Sequence, residues 1–174
     1  MGILDSLGDV LKNYTGGQAQ NTQTATEDFS QVAQTAPHNV IAEGLAAAFR
    51  SNQTPAFGNL IGNLFSQSSG EQKAGILNHL LASVGPGVLA QVGGSTLFPG
   101  LSENLGQQQV TPEQARAVSP EVVQQLATHA EKSDPTIIDK ASAFYAQHSS
   151  LVKTLGGAAL TIALAKVAER QRAA

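Results

Sequence analysis

Residues 151–167 read LVKTLGGAALTIALAKV. The stretch has the pattern of a helix built from Leu, Ile, Val, Ala, Gly and Thr, with charge only at Lys153 and Lys166. Gly157, Thr161 and Ala165 stand four apart, as do Ala159 and Ala163. Small residues at that spacing let another helix backbone come close, in a bilayer or in a dry protein interface. The uncharged run 154–165 has 12 residues, which fall short of the roughly 20 needed to cross a bilayer. The segment therefore reads as a core helix, an oligomer interface or an interfacial membrane helix, and nothing in it does chemistry.

Outward from this helix the chain is poor in charge. Charged residues are 13% of 174, about half the roughly 25% of an ordinary soluble domain, so electrostatic repulsion between copies is weak. The net charge of −3 is uneven: residues 1–110 carry a net −4 and residues 111–174 a net +1. Near the C-terminus Lys153, Lys166, Arg170 and Arg172 face only Glu169. Nucleic-acid binding needs more cations than that, since each neutralised phosphate takes one. The absence of cysteine removes disulfides, thiol catalysis and thiolate metal ligands. Asp5 and Asp9 stand where an export signal would be basic, so we expect a cytoplasmic protein.

At the other end Ile3, Leu4, Leu7, Val10, Leu11 and Tyr14 form one apolar stripe on a helix of about three turns. Residues 18–26, QAQNTQTAT, have almost nothing apolar and read as a linker. We expect residues 1–26 to be an amphipathic arm that docks on another subunit or a lipid surface, because so short a helix is marginal alone. Residues 27–174 are expected to form one bundle that includes a C-terminal helix over 151–172.

Within the bundle, Phe29, Val32, Ala33 and Ala36 share a face before Pro37, and Val40, Ile41, Leu45, Ala48 and Phe49 mark a helix ending at Arg50. Thr54 and Pro55 suggest the cap and first position of a helix carrying Phe57, Leu60, Ile61, Leu64 and Phe65. Leu77, Leu80, Leu81 and Val84 mark another, stopped at Gly85. Residues 93–109 are irregular, and Leu97, Phe98 and Leu101 are expected to pin them as a packed loop. Thr111-Pro112-Glu113, Ser119-Pro120-Glu121 and Asp134-Pro135 each place a capping residue before proline and open three further helices. No stretch alternates with period two. The fold expected is all-α.

The opening Met-Gly-Ile-Leu-Asp-Ser-Leu and the block at residues 43–55, EGLAAAFRSNQTP, resemble the YidB-like family of small bacterial proteins. That resemblance implies a compact all-α protein and carries over no site.

Catalytic patterns are missing. His38, His79, His129 and His148 are never three or four apart, and no His-Glu-x-x-His is present. His79 between Leu77 and Leu80 reads as a structural histidine, and His129 suits a helix C-terminus. The acids are scattered, and there is no Gly-x-Ser-x-Gly elbow or phosphate-binding glycine pattern. The two helix starts near residues 111–132 imitate a helix-turn-helix, but the second helix has no Lys or Arg before Lys132. We therefore expect no enzyme, no cofactor, no metal and no nucleic-acid partner. The expected function is a helical interaction or structural protein that self-associates through Ile3, Leu4, Leu7, Val10 and Leu11 at one end and Leu155, Gly157, Leu160, Thr161 and Leu164 at the other. A peripheral protein on the inner face of the membrane, using the same ends with Lys166, Arg170 and Arg172 at anionic head groups, is the alternative. A small-ligand carrier with an apolar cavity is a third.

Overall fold

The computed structural model describes residues 3–12, 14, 22–84, 86–91 and 109–173. Among them every regular element is helical and no strand occurs. In chain order the helices are α1 (Ile3–Lys12), α2 (Thr22–Thr35), α3 (His38–Arg50), α4 (Phe57–Gln67), α5 (Gly70–Ser83), α6 (Pro86–Gln91), α7 (Pro112–Arg116), α8 (Pro120–Ser133), α9 (Ile137–Ala146), α10 (Ser149–Val152) and, after a 3-10 turn at Lys153–Leu155, α11 (Gly157–Ala173). The chain divides into two compact units, one of Met1–Pro55 with Ser142–Ala174, the other of Ala56–Ala141. The second boundary of this division falls inside α9.

In the first unit α11 packs along α3 and also touches α2 and α1, and α1 lies on α2. The core holds Phe29, Val32, Ile41, Leu45, Phe49, Tyr145, Leu160 and Leu164, all within 3% of full burial. Burying each such aliphatic or aromatic side chain contributes about 1.5–3 kcal/mol. Gly44 makes the α3–α11 crossing possible. A methyl built there would stand 2.7 Å from the Ala163 carbonyl oxygen and 2.9 Å from Val167 Cγ2.

In the second unit α4 packs along α8, while α5 meets α7 and α8. Phe57, Leu60, Ile61, Leu64 and Phe65 are all buried, as their i, i+3, i+4 spacing requires. Asn78 Oδ1 accepts the Val110 backbone N–H at 2.8 Å, tying α5 to the residue that leads into α7.

Several expectations need correcting. Residues 22–26 are helix, not linker; Ala25 is fully buried, one turn before Phe29 on the same stripe. Helix α1 packs on α2 and α11 of its own chain. Thr54 does not cap α4, which starts after Ala56 without a side-chain cap. Its hydroxyl donates back to the Ala48 carbonyl at 2.7 Å, closing the end of α3 instead. Thr111 does cap its helix, in a full capping box with Gln114, because the reciprocal bond needs an acceptor at the third helical position. After Asp134-Pro135 the helix begins only at Ile137, since the Asp134 carboxylate takes the Thr136 N–H in a turn. The C-terminal helix is interrupted at Gly156, whose φ of 92° is a conformation side chains disfavour. Leu97, Phe98 and Leu101 lie outside the described residues.

Candidate functional site

The first unit carries an open cleft of about 480 Å³ beside α11. Its apolar lining is Tyr14, Ala47, Ile162 and Ala165, and its polar lining is Lys166, Glu169 and Arg172. A smaller cleft of about 110 Å³ is lined by Glu43, Lys166, Glu169, Arg170 and Ala173. Lys166 and Glu169 line both, so they form a ridge between two depressions.

The origin of this face is the periodicity of α11. Its inner side is Ala159, Leu160, Ala163, Leu164, Val167 and Ala168, all buried. Outward on this side are Ile162, Ala165 and Lys166, half-buried, and Glu169, Arg170, Arg172 and Ala173, exposed. Lys166 Nζ lies 3.3 Å from Glu169 Oε2 one turn on. Arg170 Nε lies 3.2 Å from Glu43 Oε2 on α3. Two of the three terminal cations are therefore partly neutralised by neighbours.

Tyr14, next to the end of α1, closes one wall of the larger cleft. Its ring is buried and its hydroxyl donates to Asp28 Oδ2 on α2 at 2.6 Å. Burial first, and then that carboxylate, push the phenol well above its ordinary value of about 10. The group is therefore an uncharged donor over the whole physiological range and holds the end of α1 to α2. Tyr145 differs: it is fully buried, its hydroxyl has no hydrogen-bond partner among the described residues, and burial alone raises it.

The residues expected to carry association are placed unevenly. Leu11, Leu160 and Leu164 lie in the core of this unit. Val10, Leu155, Gly157 and Thr161 are half-buried, and the Thr161 hydroxyl donates to the Gly157 carbonyl at 2.7 Å. The side chains of Ile3, Leu4 and Leu7 lie outside the described residues. The outer ridge of Ile162, Lys166, Glu169 and Ala173 does not stand out in the sequence. Its spacing of four, three and four is the signal that marks it.

Among the described residues no three His, Asp or Glu come together in a way that would hold a metal. His38 and His79 are exposed, and His148 leans on the Phe144 ring with centroids 4.8 Å apart. Gln124, which a recognition helix would point at bases, lies against Gly62 of α4. No described helix is long and apolar enough to cross a membrane. No family model matches the chain, and no curated protein or solved structure matches it significantly.

Proposed function

We propose that this chain is a non-enzymatic helical interaction protein, of bacterial type and cytoplasmic setting, that self-associates through its terminal helices. The observation that carries this is the paired depression and ridge on α11, beside the end of α1, an open apolar floor rimmed by both signs of charge. Such a surface suits a protein partner more than a solute, because it is open and elongated along one helix. Membership of the YidB-like family belongs to the same proposal and rests on residues 1–7 and 43–55. An N-terminal amphipathic arm and an apolar C-terminal helix are its working parts, with α1 held on α2 by Tyr14 and Asp28.

Sedimentation of the full chain from micromolar to millimolar concentration tests the proposal, with and without anionic vesicles. The expected result is a mass above that of one chain and no flotation. A single-chain mass throughout would defeat self-association. Salt-sensitive flotation with anionic but not neutral vesicles would put a lipid surface in its place. The pairing of Lys166 with Glu169 and Arg170 with Glu43 weighs against that second outcome.

A further inference from the structure

We infer that the outer ridge of α11 is a two-fold interface, pairing with the same ridge of a second copy in antiparallel orientation. The inference rests on the self-association proposed above and names its surface and geometry. Ile162, Lys166, Glu169 and Ala173 lie four, three and four residues apart, which confines them to roughly 60° of arc on a helix of 3.6 residues per turn. The spacing reads the same from either end. A two-fold axis across the point between Lys166 and Glu169 therefore lays the ridge on itself. Lys166 then faces the partner subunit's Glu169, and Glu169 faces the partner subunit's Lys166. Ile162 comes level with the partner subunit's Ala173, apolar against apolar.

The ridge stands between two depressions, so it is the part of this face that a second copy meets first, and the two-fold gives both subunits the same contact surface, as an isologous interface demands. Charge then selects the orientation. A parallel, in-register pair would oppose Lys166 to Lys166 and Glu169 to Glu169, whereas the antiparallel pair opposes unlike charges. Such pairs set geometry and specificity more than affinity. Both side chains reach solvent in the single chain, at 42% and 71% exposure, and have room to turn toward a partner.

The test is a charge-swap series in the full chain, read by sedimentation with helicity checked by circular dichroism. Lys166→Glu alone sets like charges opposite at both contacts, and so does Glu169→Lys alone. Each is expected to weaken association about tenfold or more at low salt, since unlike contacts become like ones. An equimolar mixture of the two variants restores complementarity at both contacts and should associate as a heterodimer. The double variant Lys166→Glu/Glu169→Lys should recover homodimerisation. If the native chain is a monomer at every concentration, the self-association proposal falls and this inference with it. If the native chain associates and both single variants match it, the proposal stands and α11 is not the surface. If the single variants lose association and the mixture does not regain it, the antiparallel register is wrong.

Discussion

Each unit is built around one long helix crossing closed by glycine, yet what meets the glycine differs. In the first unit Gly44 of α3 faces the Ala163 carbonyl and the Val167 methyl of α11. Backbone lies close on backbone there. In the second, Gly62 of α4 faces the flexible side chain of Gln124 on α8, while Gly58 faces the Gln124 carbonyl and the Thr128 hydroxyl. The first unit also buries two tyrosines, whereas the second secures the turn before α9 with a surface network of Asp134, Thr136 and Lys140. At Gly44 the obstacle is a backbone carbonyl with a β-branched side chain, and at Gly58 too a carbonyl stands close, whereas at Gly62 it is only a side chain able to move aside. The same substitution should therefore have unequal consequences at Gly44 and Gly62.

The largest expected difference comes from alanine at the two crossings. Gly44→Ala forces α3 away from a carbonyl that cannot yield, and overpacking of this kind costs about 1–3 kcal/mol. A helix-propensity gain of up to about 1 kcal/mol offsets part of it. Gly62→Ala has the same propensity gain, but only a side chain has to turn away. We expect Gly44→Ala to be less stable than Gly62→Ala by at least about 1 kcal/mol, measured by urea unfolding and judged against that overpacking range. Equal midpoints would erase the contrast between the crossings.

The tyrosines give the next effect. Tyr14→Phe removes a 2.6 Å bond to a carboxylate, and hydrogen bonds to charged groups contribute about 1.5–3 kcal/mol. Tyr145→Phe removes a buried hydroxyl with no partner among the described residues, so it should leave stability unchanged or raise it by about 1 kcal/mol. Denaturant midpoints moving in opposite directions would support this account. A loss at Tyr145 as large as at Tyr14 would show that its hydroxyl has a partner.

The smallest effects are in pH, and they separate the units by sign. In the first, Tyr14 and Tyr145 hold their protons more tightly than the unfolded chain, whose phenols titrate near 10. Their contribution is full below about pH 10 and is lost as the pH rises beyond it. In the second, the Lys140 ammonium and then the Thr136 hydroxyl, both bonded to the carboxylate, lower Asp134 to about 2. That contribution is present above about pH 4 and fades as the pH falls toward 2. Burial, then the charge of Lys140, lowers His79. The unfolded chain therefore takes up that proton first, and stability declines below about pH 6.5. Residue-resolved hydrogen exchange should show protection lost in the first unit on the alkaline side and in the second on the acid side. His79→Gln should flatten the slope between about pH 7 and 5.5, and an unaltered slope would remove His79 from the account.

Most helices are legible in the amino-acid sequence, and for a local reason. The stripe Phe57, Leu60, Ile61, Leu64 and Phe65 needs only the helical repeat to read, and every member is buried. Prolines at 112 and 120 mark true helix starts because Pro has no N–H to lose there. The readings that fail depend on neighbours distant in sequence. Thr54 looks like an N-cap by position, but its hydroxyl turns to the end of α3. Residues 22–26 look like linker by composition, yet Ala25 alone suffices to continue the Phe29 stripe once α2 has something to pack on. Leu160 and Leu164 invite reading as interface residues because residues 157–165 of α11 are small or apolar apart from Thr161. Both are in the core.

By itself the sequence determined the secondary structure class, the approximate helix limits and the lack of any recognisable catalytic pattern, since these follow from short-range periodicity, capping and residue chemistry. The tertiary structure alone decided which side of α11 faces inward and that Gly44 is where α3 meets it. It also decided that Tyr14 anchors α1 through Asp28 and that the chain divides inside α9. The physical reason is that a helix with small and apolar residues on several sides has no single buried face of its own. Only the helix that packs against it selects one.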